Sequence, residues 1–157
     1  MKLNLGSGMR KLEGYINIDI REECLPDRIM DVEMGLEFHK DEVDEVFAKD
    51  FLEHVAQDKV VFVMSEIHRV LKPGGIFDFF IPSTEGIGAF MDPTHRSYWN
   101  IGSMLYFVHP DWHALYPDWP FFSVVKQIRR VITDKELQLI HIAGQITPVK
   151  ETERVDS

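Results

Sequence analysis

The order strand, helix, strand in the middle of the chain constrains its fold more than any other feature. Residues 43–48 (VDEVFA) and 75–81 (GIFDFFI) are typical of strands, and Pro82 ends the second one. Between them, apolar residues recur at helical spacing until the breakers at 72–75, namely Val60, Val63, Met64, Ile67 and Leu71. Two strands joined in this way run parallel, normally with a right-handed connection. The pattern therefore predicts an α/β domain.

Three shorter strands precede this unit. Residues 3–5 are a short apolar cluster, and apolar side chains alternate with polar ones over residues 15–20. Residues 28–32 are a weaker third candidate strand. Only about ten residues separate the first two strands, whereas a parallel crossover usually takes a dozen or more. Either these strands pair differently, or one face of the sheet lacks its usual helices and needs the region after residue 85 or a second copy to cover it.

The second half of the chain is organised differently. All three tryptophans fall within residues 86–120, where residues 97–108 are the best helix candidate. Residues 121–132 and 137–146 predict two strands of a hairpin around 133–136. We therefore expect a Rossmann-like, mostly parallel sheet with few flanking helices and an antiparallel C-terminal hairpin. Residues 1–146 would form one domain with 86–120 as an aromatic-rich insertion or lid, and 147–157 would be a polar tail.

The composition of the chain limits the classes of partner and the compartments that we expect for it. The 157 residues carry a net charge of −9, from 26 acidic and 17 basic side chains, so a nucleic acid is an unfavourable partner. Cys24 is the only cysteine, which fits a reducing compartment. No stretch approaches the roughly 20 apolar residues of a membrane span, and no signal-peptide pattern is present. A cytoplasmic location is expected.

A Gly-Ser-Gly turn after the first strand and an acid at the end of the second predict a ligand site. Glycines allow a ligand to approach the backbone closely, and Asp19 can accept hydrogen bonds from both ribose hydroxyls. A nicotinamide site would need a third glycine, where Lys11 stands, and an acid about 20 residues on. A cofactor with a nucleoside but no phosphate therefore fits better.

Four segments in this order resemble the class I S-adenosylmethionine-dependent methyltransferases, specifically the small type-11-like branch. They are LNLGSG, YINIDI, AKDFLEHV and EIHRVLKPGGIFDFFIPS, which together span roughly residues 2–82, with a weaker likeness at DPTHRSYW. The family normally has helices before the first strand and between the first three strands, and this chain has almost none of them. The resemblance implies S-adenosylmethionine as the cofactor and methyl transfer as the activity.

The resemblance also assigns roles to the first two motifs. Gly6, Ser7 and Gly8 would line the methionyl part of the cofactor. Asp19 would bind the ribose hydroxyls, with Ile20 against the adenine.

Residues farther along the chain would complete the cofactor site. By the same resemblance, Asp31 and Val32 would lie at the adenine edge, with the carboxylate accepting from its amino group. Asp50, Phe51 and His54 would lie beside the methionine and the sulfonium.

Displacement at a sulfonium methyl group depends mainly on alignment, and it needs a base only if the acceptor must lose a proton. Asp92 and His95, which follow the fifth strand, are the candidate catalytic residues. His109 and His113 could share a helix face and bind a metal, but Pro110 argues against a regular helix there. No metal site is therefore predicted.

We expect the acceptor to be a small molecule or a glycan-type compound. One alternative is a reduced methyltransferase-like domain that acts as a binding or scaffold subunit without catalysis, which the short connections favour. A nicotinamide-dependent reductase is a further alternative. A homodimer could form through the sparsely covered sheet face or through the aromatic-rich segment, since tryptophan and tyrosine are enriched at interfaces.

Overall fold

The computed structural model describes residues 1–150, which form a seven-stranded sheet of order β3-β2-β1-β4-β5-β7-β6. The first five strands in this order are parallel to one another, and β7 is antiparallel to both β5 and β6. The strands are β1 (Lys2–Leu5), β2 (Ile16–Asp19), β3 (Arg28–Ile29), β4 (Val43–Lys49), β5 (Leu71–Pro82), β6 (Phe122–Asp134) and β7 (Leu139–Pro148). The helices are α1 (Val60–Val70), α2 (Gly88–Met91), α3 (Ile101–Val108) and α4 (Pro110–His113). The predicted fold class is confirmed.

The core lies between the sheet and α1. Alternate residues of β4 and β5 are fully buried, and so is the apolar stripe of α1, through Val46, Phe77, Phe79, Val63, Met64 and Ile67. The remaining residues of the two strands point to the other face, where Phe47 and Phe80 stay partly exposed. This is the sparsely covered face that the short connections predicted. Dimerisation through it, or through the aromatic-rich segment, stays a prediction.

Two buried asparagines replace the helix that usually joins the first two strands. Asn17 accepts from the Leu12 N–H at 2.8 Å, and its amide group donates to the Leu12 and Tyr15 carbonyls at 3.2 Å. Asn4 donates to Arg10 O at 3.0 Å and to Asn17 Oδ1 at 2.9 Å. These side chains satisfy backbone groups of a loop whose own backbone hydrogen bonds, from Arg10 N to Ser7 O and from Tyr15 N to Leu12 O, form turns and not a helix. The first two strands can therefore be parallel despite the short connection.

Asn17→Leu should lower the free energy of unfolding by about 2–4 kcal/mol, because several buried backbone groups would lose their partners at once. Urea unfolding followed by circular dichroism measures the loss. Asn100→Ala is the matched control, because it removes the cap of α3 and one hydrogen bond to Thr84 Oγ1, which together are worth about 1–2 kcal/mol. A loss at position 17 no larger than at position 100 would show that Asn17 does not hold the loop.

Several predicted boundaries were wrong. Leu71 starts β5 instead of ending the helix, and residues 72–75 bulge within the strand, since Val43 pairs with Leu71 while Glu45 pairs with Ile76. The third strand is shorter than predicted because Asp31 accepts from Glu33 N and starts a 3-10 turn.

The end of the sheet also differs from the prediction. The hairpin turn is at 135–138 rather than 133–136. The predicted polar tail begins too early, because Thr147 pairs with Ser123 in the sheet. Lys150 is 7% exposed, and its Nζ lies 2.6 Å from His68 O and 2.7 Å from Asp41 Oδ1. The rest of that tail lies outside the described residues.

Candidate functional site

A cleft opens at the carboxyl ends of the parallel strands, with β1 between β2 and β4. Its volume is about 550 Å³, within the usual range for small-molecule sites. Most of the predicted cofactor residues line it, namely Gly6, Asp19, Ile20, Asp31, Val32, Asp50, Phe51 and His54, as does the predicted catalytic Asp92. Ser7, Gly8 and His95 are not among the residues that line it. The fold thus brings together residues that are widely separated along the chain.

The Gly-Ser-Gly turn is held by backbone contacts. Gly6 and Gly8 have φ angles of +61° and +49°, which favour glycine, and Ser7 N donates to Ile18 O at 2.9 Å. A Cβ on Gly6 would lie 2.3 Å from Phe51 Cδ2. The close approach that requires this glycine is therefore made by the Phe51 ring, and not only by a ligand as the sequence suggested. At Gly8 a Cβ would meet only Arg21 Nη2, at 3.3 Å.

Asp19 joins the ends of β1 and β2. The residue is 7% exposed, and its Oδ2 accepts from Gly8 N at 2.7 Å. Its Oδ1 accepts from Arg21 N at 2.9 Å and from Arg21 Nε at 3.3 Å. A carboxylate offers about four acceptor positions. These contacts leave room for one further donor, and for two if the largely exposed Arg21 side chain moves away.

The residues predicted to contact the adenine supply both apolar and acidic side chains. Ile20 is 60% exposed beside the cleft, while Val32 is buried. Asp31 is exposed and caps the turn at Val32–Met34. An exposed apolar side chain next to a carboxylate suits a flat heterocycle with an exocyclic amino group.

Asp50 is paired with two basic side chains, Arg10 and His141, which sequence reasoning did not assign to the site. Its φ of +52° turns the chain after β4, and Arg10 Nη2 lies 3.1 Å from Oδ2. His141 Nε2, from β7, lies 3.3 Å from Oδ1. Burial raises the pKa of Asp50, but His141 and Arg10 outweigh it and hold that pKa below its usual value. His141 could not be assigned from sequence because β7 lies far along the chain.

Glu53, His54 and His95 form a second group beside the cleft. Glu53 is 2% exposed, and its Oε1 lies 4.0 Å from Nε2 of each histidine. Burial first, and then the neighbouring Asp50 and Asp92 carboxylates, raise the pKa of Glu53 to about 8. Within residues 1–150, neither Glu53 carboxylate oxygen has a hydrogen-bond partner. The only signal in the sequence was an acid within the apolar stretch FLEHV.

The loop at 92–97 is tied to this group by its backbone. Arg96 N and Ser97 N donate to Glu53 O at 2.7 and 3.1 Å, and Arg96 Nε donates to His54 O at 2.9 Å. Asp92 Oδ2 lies 3.8 Å from His95 Nε2. The predicted catalytic pair is next to His54, whose ring centroid lies 4.9 Å from that of His95. The catalytic role of the pair stays a prediction.

Some side chains of the aromatic-rich segment, residues 86–120, are buried in the core, and others lie nearer the surface. Trp99 and Phe107 are buried in the core, whereas Tyr116 and Trp119 stack 4.3 Å apart beside a separate cavity of about 470 Å³. Pro110 begins α4 rather than preventing a helix, and His113 Nε2 lies 2.8 Å from Trp119 O. His113 is therefore engaged by a backbone carbonyl, and the group of three potential metal ligands found in the described residues includes neither His109 nor His113.

The chain is similar to one protein family and to several solved structures. The model of a family described as a methyltransferase domain matches residues 10–79. No curated protein matches the chain. Among residues 1–150, no helix is both long and apolar enough to cross a membrane.

Solved structures share the fold at low sequence identity. A protein from Pyrococcus horikoshii has a TM-score of 0.68 and 16% identity, over 94% of this chain and 81% of that one. A SAM-dependent methyltransferase from Archaeoglobus fulgidus has a TM-score of 0.66 and 16% identity, over 92% and 85%. The 1,6-didemethyltoxoflavin-N1-methyltransferase of Burkholderia thailandensis, solved with 1,6-didemethyltoxoflavin and S-adenosylhomocysteine, has a TM-score of 0.63 and 14% identity, over 95% and 71%.

Proposed function

We infer that this chain is a class I S-adenosylmethionine-dependent methyltransferase and that it transfers a methyl group to a small-molecule or glycan-type acceptor. The observation that carries the proposal is the junction of the Gly-Ser-Gly turn with the buried Asp19 carboxylate at the carboxyl ends of β1 and β2. Ligands of open parallel sheets bind at this edge.

The residues of the cleft fit the cofactor. Asp19 retains acceptor capacity for a ribose hydroxyl, and Ile20 offers exposed apolar surface to an adenine. Asp31 can accept from the adenine amino group. Asp50 is kept ionised by Arg10 and His141, so that it can attract the methionyl ammonium. When bound, S-adenosylmethionine supplies an electrophilic methyl group on a neutral leaving group.

The acceptor would enter beside Asp92 and His54, which line the same cleft. Because alignment supplies most of the acceleration in such a displacement, these side chains need only orient the acceptor. Of the predicted catalytic pair, we retain Asp92 as the group that faces the acceptor. His95 does not line the cleft, and we retain it as the residue behind Asp92, with its Nε2 3.8 Å from Asp92 Oδ2.

Calorimetry with S-adenosylhomocysteine tests the proposal directly. We expect saturable binding at one site per chain and a higher melting temperature, with no effect of NADH at the same concentration. Binding of NADH instead would support the reductase alternative. A panel of small hydroxyl and amine compounds and sugars, assayed with S-adenosylmethionine carrying a labelled methyl group, would then identify the acceptor class.

A scaffold role without catalysis is the second candidate, and two contacts favour it. Asp19 already accepts from Gly8 and Arg21, and Phe51 packs against Gly6. If these contacts close the site permanently, neither S-adenosylmethionine nor its demethylated product will bind. If neither compound binds, the result would therefore favour the scaffold role over catalysis.

A further inference from the structure

We propose that Glu53, His54 and His95 form a binding site for a divalent transition-metal ion at the edge of the cleft. One ligand atom from each of these residues lies within 4.8 Å of the other two. Atoms bound at about 2.0–2.2 Å to a common zinc ion lie at most about 4.4 Å apart. Glu53 Oε1 lies 4.0 Å from His54 Nε2 and 4.0 Å from His95 Nε2, so two separations already satisfy this limit.

Both histidines are oriented as metal ligands usually are. A ligating imidazole normally makes a hydrogen bond through its other ring nitrogen, which fixes the ring. His95 Nδ1 lies 2.8 Å from Ala89 O, and His54 Nδ1 lies 3.2 Å from Thr94 Oγ1. In each case the remaining Nε2 is directed towards Glu53. The two rings meet edge to face, with centroids 4.9 Å apart.

The buried Glu53 carboxylate is an independent reason for the proposal. At 2% exposure it has lost its hydration, and within the described residues no donor replaces the lost water. An unpartnered buried carboxylate is costly unless a proton, a cation or hydrogen bonds compensate. Ligation of a cation would supply that compensation, and it would account for a buried acid in the turn at Leu52–His54.

The ligand set indicates the class of ion. Two imidazoles with one carboxylate suit Zn²⁺, Fe²⁺, Co²⁺ or Mn²⁺, whereas Mg²⁺ and Ca²⁺ prefer sites made of oxygen atoms. The group adjoins the cleft, because His54 and Asp92 line the cleft and Asp92 Oδ2 lies 3.8 Å from His95 Nε2. On the proposed function, an acceptor oxygen that binds the ion from the cleft would become more acidic.

Co²⁺ titration of the purified full-length protein, after removal of metals with a chelator, tests the site. We expect one saturable equivalent per chain by calorimetry, with visible d–d absorption bands from nitrogen ligation. Glu53→Gln and His95→Ala should each weaken binding by about 100-fold or more, as loss of a ligand should cost at least as much as loss of an outer partner. His39→Ala, at an exposed histidine outside the group, should leave binding unchanged.

Circular dichroism checks that each variant is folded, and His54→Ala, at a half-exposed side chain, replaces any variant that is not. Absence of saturable binding, or equal affinity in Glu53→Gln, His95→Ala and His39→Ala, would overturn the cation site. The titration contains no cofactor or acceptor, so its outcome is separate from S-adenosylhomocysteine binding. Cofactor binding without Co²⁺ binding rejects only the metal site, and the reverse result rejects only the proposed function.

Discussion

Gly6→Ala should lower the free energy of unfolding by about 2–5 kcal/mol and abolish measurable binding of S-adenosylhomocysteine. The φ of +61° costs a residue with a side chain about 1–2 kcal/mol. The new methyl group would also lie 2.3 Å from Phe51 Cδ2, and relieving such overpacking typically costs about 1–3 kcal/mol. The turn and the Phe51 ring would have to separate, which would deform the cleft that both of them line. Urea unfolding and calorimetry measure the two effects.

Gly14→Ala separates backbone strain from the collision. Gly14 has a φ of +81°, but a Cβ there would meet nothing within 4 Å. This variant should lose only the backbone component, about 1–2 kcal/mol, and should still bind the ligand. Equal losses of stability and full binding in both variants would show that the contact between Gly6 and Phe51 is unimportant.

Asp19→Ala should weaken S-adenosylhomocysteine binding by about 10- to 150-fold, corresponding to about 1.5–3 kcal/mol for a hydrogen bond to a charged group. On the proposed function the carboxylate would accept from the ribose, and it also accepts from Gly8 N at 2.7 Å, which shapes the turn. Calorimetry at fixed ionic strength measures the affinity. An unchanged dissociation constant would reject the ribose role.

Two further variants distinguish ligand contact from loop support. Asp19→Asn keeps one acceptor oxygen, for Gly8 N or for Arg21 N but not for both, and it removes the charge. It should therefore retain more stability than Asp19→Ala while still losing affinity. Arg21→Ala removes the side-chain contact at 3.3 Å and keeps the backbone N–H contact at 2.9 Å. If Arg21 competes with the ribose for the carboxylate, this variant should bind at least as tightly as the unmodified protein. A loss of affinity as large as that of Asp19→Ala would show that Arg21 supports ligand binding and does not compete with the ribose.

The parallel sheet and the C-terminal hairpin could be predicted because their signals are local. Alternation in Phe77–Ile81 and helical spacing in Val60–Ile67 report which face each element buries, whatever it packs against. The motifs predicted to bind the cofactor could also be recognised from the sequence. The ends of neighbouring parallel strands lie side by side, so the turn at Gly6 had to be near Asp19. The family match agrees with the predicted cofactor, S-adenosylmethionine. Boundaries such as Leu71 failed because a bulge lets β5 continue through Pro73 and Gly74.

The amino-acid pattern was sufficient for the order of elements and for the first half of the cleft, because burial periodicity and turn residues act over short distances. Tertiary structure alone decided that His141 would reach Asp50 and that residues 92–97 would bring His95 to Glu53. It also decided that Asn4 and Asn17 would take the place of a crossover helix. These contacts join groups far apart along the chain, and they depend on strand register and loop path, which no local pattern encodes.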